Sequence, residues 1–308
     1  MTPRSIGDAL RRAGLTQNAL LAWAGTHRLS ALARILPALA ERPLTPASAA
    51  LALFVAGVDV PLERLRGLPI DALAAHGLVE IGVSHATARV AILPLEQTLV
   101  VCDRFDAPPS QRVVLCPDDS SYHLATAIPS GRRERWIDLA TGSAFAPLAR
   151  PALASQIVGI DLNPRAIDFA RMGAALSGCE HLVATCADIA DPPGMSAPLV
   201  TCNAPILGDP DPAMWRSTDR AFFDRLWSAA RACVSAGGEV IVHCVRDGVP
   251  DVLDGDVVVV VYTPEGERAY CVVWWTPDAP ARRVFVHREL TAARPHLDPR
   301  DRDDARAT

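Results

Sequence analysis

Residues 136–162 decide the fold: Trp136-Ile-Asp138-Leu-Ala140-Thr-Gly142-Ser-Ala144, a run of mostly small or apolar residues, then Ile157-Val-Gly-Ile-Asp161-Leu162. An apolar pair runs into Asp138, and a tight turn centred on Gly142 follows. The pattern predicts a helix over 144–154 and a second apolar strand ending at Asp161. A strand–turn–helix–strand unit with an acid about twenty residues after its glycine turn places a nucleotide across strand ends. Glycine lets backbone N–H groups approach a ligand closely. The carboxylate of Asp161 can accept from both hydroxyls of a ribose.

The alternation continues beyond this unit. Strands are expected at Leu182–Cys186, Leu199–Asn203 and Glu239–Cys244, with helices at Pro164–Ser177 and Asp219–Ser235. Asn163 before Pro164 suits a helix start, and Gly178 its stop. Val257–Tyr262, a Pro264–Gly266 turn and Tyr270–Trp275 give a hairpin signal, and Arg283–Val286 can add one more strand. After Asp298 the chain is charged and nearly free of apolar residues, so 298–308 is expected to be a flexible tail.

Toward the N-terminus, residues 5–56 read as helices, with Thr45 and Pro46 opening the last of them. Short helices are expected over 58–65 and 70–76, then two short strands, 78–81 and 88–93, around Ser84-His85. Helices followed by a small hairpin resemble a winged helix. Such a module can bind DNA, or serve packing, dimerisation or substrate closure. Further strands are expected at Leu99–Cys102 and Val113–Cys116, and the loop between them is the expected boundary. This divides the chain into a helical, winged-helix-like domain over 1–106 and a nucleotide-binding domain over 107–297.

Composition narrows the classes. The chain has 308 residues, half of them apolar, so a sizeable core is available. A net charge of −5 and no basic helix argue against a nucleic-acid partner. Every basic residue apart from histidine is arginine. The 8 cysteines show no metal-ligand spacing, so no metal is expected, and they suit reduced core positions in a cytoplasmic protein. Asp8, Arg11 and Arg12 interrupt any signal-peptide core, and no apolar run reads as a membrane span. A homodimer is compatible with these features.

The polar cluster Pro117-Asp-Asp-Ser120-Ser121-Tyr122-His123 stands just before a helical stretch. Ser120 or Ser121 can cap that helix, and the cluster can also fold over a ligand at Gly142.

Over residues 117–275 this succession resembles the class I S-adenosyl-L-methionine (SAM)-dependent methyltransferases. It is most similar to the release-factor glutamine methyltransferase branch, which also carries a small N-terminal helical domain. Four stretches carry the resemblance: Asp138–Ala144, Gly159–Ala166, Asp188 after the third strand, and Asn203-Ala-Pro205-Ile206 where the family has Asn-Pro-Pro-aromatic. The resemblance implies an α/β fold with a Rossmann-like, doubly wound, seven-stranded sheet, and SAM as cofactor. It implies cofactor contacts from Ser120, Ser121, Asp138, Ala140, Thr141, Gly142, Asp161, Leu162, Asn163, Asp188, Ile189 and Asn203. Asp138 would organise the turn or reach the cofactor's ammonium, Asp161 the ribose, and Asp188 the adenine amine with Ile189 against the ring. Asn203 and the backbone by Pro205 would accept from the target NH2, with Tyr122, His123 or His243 as candidate bases.

The departures are specific. Two family glycines are Ala140 and Ala144, and a methyl there narrows the turn. The motif's first proline is Ala204 and its aromatic is Ile206, which offers no π-face to a planar amide or nucleobase. Trp215, Phe222 or Phe223 could supply a replacement wall, or simply pack in the core. Methyl transfer from a sulfonium depends on alignment more than on acid–base chemistry, so no catalytic dyad is required.

Three functions follow. The first is a SAM-dependent methyltransferase acting on a small metabolite or a protein side chain. The second is a SAM-consuming enzyme that does not methylate, for example a cyclase releasing methylthioadenosine. The third is a non-catalytic protein that senses a nucleotide and binds DNA or a partner.

Overall fold

The computed structural model describes residues 1–108, 110, 112–191, 194–208, 217–263 and 269–307. Trp215 and the expected turn at Pro264–Gly266 lie outside the described residues.

The frame is one sheet of eight strands among the described residues. They are β1 (Arg133–Leu139), β2 (Ala154–Asp161), β3 (Leu182–Cys186), β4 (Ala197–Asn203), β5 (Val234–Val245), β6 (Asp256–Val261), β7 (Tyr270–Thr276) and β8 (Arg282–His287). The spatial order is β8-β6-β7-β5-β4-β1-β2-β3. Strands β3, β2, β1, β4 and β5 run parallel, and β7 is antiparallel to both neighbours. The expected seven strands become eight because Arg282–His287 pairs in parallel along the full length of β6. The central parallel strands are buried on both faces toward their C-terminal ends, as in residues 136–139, 157–160 and 199–202, whereas the edge strand β3 exposes Val183.

The chain leaves β1 toward one side of the sheet and returns at β4 on the other. A doubly wound sheet binds ligands outside the C-terminal strand ends at such a reversal. Asp138 and Thr201 are register partners across it, and Asn203 pairs with His243 one strand further on.

The helix expected over 144–154 is short, running only Phe145–Ala149. Pro151 is the cause: the residue before a proline is driven out of helical backbone, and Arg150 has φ −133° and ψ 47°. Val113–Cys116, expected as a strand, is irregular. It is tied by the Val114 N–H to an Asp103 oxygen at 2.8 Å.

Helices Pro3–Arg12, Gln17–Ala24, Leu32–Ala40 and Ala49–Phe54 precede a small antiparallel sheet, in which Val79–Ile81 and Val60–Pro61 flank His85–Ala88. A second hairpin pairs Ala91–Pro94 with Leu99–Cys102. The first helix lies against Pro164–Ser177 so closely that a Cβ on Gly7 would stand 1.9 Å from the carbonyl oxygen of Leu176. Only glycine permits that approach.

The flexible tail expected over 298–308 is instead a docked helix, Pro299–Ala307. Asp301 is buried beneath it and meets Arg288 and Arg294. Arg302 pairs with Glu239 at 2.7 Å and Arg306 with Asp256 at 2.6 Å. Ion pairs dock this helix, and an apolar count does not register them.

Candidate functional site

The site begins at Asp138, at the end of β1 and almost completely buried. Both its oxygens are occupied. Thr141 donates its hydroxyl to Oδ2 at 2.6 Å, and the Thr201 hydroxyl donates to Oδ1. Thr201 in turn accepts from the Trp136 indole N–H at 2.7 Å. Asp138 therefore organises the turn, the first of its two expected roles. Burial, with the nearby Asp161 carboxylate adding to it, pushes its carboxyl up to about 6 against the pull of the two hydroxyls.

The turn held this way is the glycine-rich turn of the sequence. Gly142 has φ +55°, and a Cβ there would meet nothing within 4 Å. Its N–H donates to Asp161 Oδ2 at 2.7 Å, and the Asn163 N–H donates to Oδ1 at 2.8 Å. Each oxygen of Asp161 thus keeps a further lone pair for a ligand. Burial raises the Asp161 carboxyl. Asn163 caps Pro164–Ser177 by accepting from the Arg165 N–H at 3.0 Å, which leaves Asp161 free of the capping role. Ala140 and Ala144 sit at φ 50° and 57°, the left-handed region that favours glycine.

Asn203 ends β4. Its Nδ2 donates to the hydroxyls of Ser120 at 2.9 Å and Ser121 at 3.3 Å, tying β4 to the helix Asp119–Ala127. The cap of that helix is Asp118, two residues before the first of the expected serines; its Oδ1 accepts from the Ser120 N–H at 3.0 Å. Asn203 Oδ1 is buried and has no partner. The exposed Asp188 accepts from the Ala190 N–H at 2.9 Å, and Ile189 is buried behind it.

One cavity of about 1540 Å³ connects these groups. Ser120, Ser121, Asp138, Ala140, Thr141, Gly142, Asp161, Leu162, Asn163, Asp188, Ile189, Asn203 and Pro205 all line it. Tyr122 does not. Successive helical residues point about 100° apart, so the face that turns 120, 123 and 124 inward turns 122 away. Tyr122 packs edge-on against Phe145 with ring centroids 4.7 Å apart, and burial raises its hydroxyl far above the usual range. It is a packing residue, not a base. Of the expected replacement walls, Phe222 lines the cavity and Phe223 is core.

The cavity extends beyond the sequence-read residues. His123, His243, Tyr262, Tyr270 and His296 also line it. His243 accepts from or donates to the Tyr262 hydroxyl through Nε2 at 2.7 Å, while its Nδ1 is buried without a partner. Burial holds His243 down to about 4, and His123 down to about 3 with neighbouring His243 and His296 adding to the effect. Both are neutral at physiological pH. Tyr262 and His296 are far from the motifs in sequence; the one local signal is that Tyr262 follows directly on the apolar run of β6. Among the described residues, the charged side chains on the lining are Arg28, Arg34 and Arg225 against Asp118, Asp119, Asp138, Asp161, Asp188 and Glu289.

No protein-family model matches the chain, and no curated protein matches it. Among solved structures it is similar to a T. thermophilus 16S rRNA methyltransferase in complex with AdoMet and guanosine, at 20% identity and TM-score 0.43, over 63% of this chain and 46% of that one. It is similar to an M. jannaschii tRNA methyltransferase at 14% identity and TM-score 0.43, over 60% and 56% of the two chains. A geranyl diphosphate methyltransferase in complex with SAM matches at 14% identity and TM-score 0.32, over 41% and 47%. The chain spans about half the length of these three proteins.

Proposed function

We propose that the chain is a cytoplasmic SAM-dependent methyltransferase. In this reading residues 107–297 form the catalytic domain, and residues 1–106 a winged-helix-like module beside it that contributes Arg28 and Arg34 to the acceptor end of the cavity. The observation that carries the reading is the buried, unpartnered Oδ1 of Asn203 in the same cavity as the Gly142 turn and Asp161.

The residues present suit the cofactor. Open space above Gly142 leaves room for its methionyl part, and the remaining lone pairs of Asp161 suit its ribose. Asp188 and Ile189 offer an acceptor and an apolar surface to the adenine. Bound SAM supplies an electrophilic methyl group on a sulfonium. Asn203 holds the acceptor with Oδ1, and its Nδ2 is fixed by Ser120 and Ser121, so the amide is oriented before any ligand arrives. Pro205 walls the same corner. The chain's work is alignment, which suits a site whose histidines His123 and His243 are neutral.

The acceptor is a small metabolite or a protein side chain. Six carboxylates against three arginines on the lining disfavour a phosphate backbone, which binds through cationic contacts. The eight free cysteines suit a reducing compartment.

Calorimetry with SAM and S-adenosylhomocysteine tests the cofactor, with binding of both expected; no heat from either defeats the reading. Mass analysis of products tests the reaction. S-adenosylhomocysteine formed with an acceptor supports methyl transfer, whereas methylthioadenosine released from SAM alone replaces it with cyclisation.

A further inference from the structure

His296 Nδ1 is buried and unpartnered on the lining of the cavity, and so are two further acceptor-capable atoms, Asn203 Oδ1 and His243 Nδ1. The latter two belong to register partners on adjacent parallel strands, so both side chains rise from the same face of the sheet at its C-terminal edge. Leaving buried polar atoms unpaired is costly unless a ligand supplies the missing partner. His243 Nε2 is occupied by the Tyr262 hydroxyl at 2.7 Å. With the ring neutral and Nε2–H donated to Tyr262, Nδ1 is an acceptor. The Tyr262 hydroxyl can donate or accept, so the ligand selects the tautomer: an N–H donor at Nδ1 makes Nδ1 the acceptor and Nε2 the donor.

From this pair the geometry points to a free primary amine as the methyl acceptor, its two N–H bonds held by Asn203 Oδ1 and His243 Nδ1 and its lone pair left for the methyl group. The inference rests on the methyltransferase reading above. An alcohol has one O–H and leaves one of the two acceptors unpaired. A planar amide has the two N–H bonds, but its lone pair is delocalised into the carbonyl and is not free for the methyl group. The net acidic lining draws the amine in as its ammonium form, which loses one proton to solvent to become the nucleophile. The amine nitrogen then forms the N–C bond with its lone pair, the C–S pair stays on sulfur, and the methylated nitrogen gives up its extra proton to water.

The test is a panel incubated with methyl-labelled SAM: alkylamines, α-amino acids, primary amides, alcohols and a short RNA. Label is expected in the amines alone. The best amine is then titrated calorimetrically into the protein saturated with S-adenosylhomocysteine, a readout independent of turnover. H243F keeps a flat ring and removes the acceptor, so amine binding should weaken about tenfold. H243N places a carbonyl oxygen near the position of Nδ1 and should recover most of that loss. Affinity for S-adenosylhomocysteine, measured on each variant, should stay unchanged, while the melting temperature falls alike in both because each loses the Nε2 bond to Tyr262. Transfer to amides, alcohols or RNA in place of amines overturns the proposal, as does unaltered amine binding in H243F, or no transfer to any amine with SAM bound. Failure of SAM to bind overturns the methyltransferase reading itself, and this proposal with it.

Discussion

Alanine at 140 and 144 occupies left-handed backbone that costs an L-residue about 1 kcal/mol or more. Ala140→Gly and Ala144→Gly are therefore expected each to stabilise the protein by about 1 kcal/mol in urea melts. The gain is partly offset by the greater freedom of glycine in the unfolded chain. Asp138 sets a second residue-scale expectation. Its folded-state pKa, about 6, lies above the ordinary carboxylate value, so the folded state binds more protons between about pH 4 and pH 6. Stability then falls as pH rises through that window, by about 3 kcal/mol in all, and Asp161 shifts in the same direction. Asp138→Asn removes the titration, and urea melts across the window should lose most of that slope. Asp138, Gly142, Asp161 and Asn203 were legible in the sequence because each stands at a strand end with its signal in adjacent residues. Tyr122 was misassigned because helix phase toward the cavity is set by tertiary packing. The pairing of His243 with Asn203 needs the strand register, which joins residues forty positions apart.

Element by element, the central parallel strands were readable because burial on both faces favours continuous apolar runs. The C-terminal helix was not, since Pro299–Ala307 contains two alanines among charged residues and owes its position to ion pairs. Those pairs are not ordinary surface contacts: Asp301 is buried, and the Arg302 and Glu239 side chains are each 16% exposed. Truncation after Leu297 should cost about 3 kcal/mol, because it leaves Arg288 and Arg294 without their buried partner. Chemical denaturation reads the loss as a lower midpoint. An unchanged midpoint would show that the helix adds nothing to the sheet.

For the molecule as a whole, ligand binding and stability are one equilibrium. SAM at about a hundred times its dissociation constant should stabilise the folded state by about 2.7 kcal/mol, read as a higher melting temperature. Binding of a short RNA should be weak at every ionic strength, as the cavity's charge balance requires. A steep fall of RNA affinity with salt would instead mean that a cationic surface elsewhere engages phosphates.

The seat of Gly7 against the Leu176 carbonyl bears on how the chain is made. The helix Pro3–Arg12 makes a close backbone contact with a residue synthesised far later. Until Leu176 emerges, the apolar face of Pro3–Arg12, including Ile6 and Leu10, lacks that surface. Contacts of such sequence separation slow folding, and exposed apolar surface meanwhile invites chaperones. Pro3–Arg12 must wait for the segment that carries Leu176 before it can close.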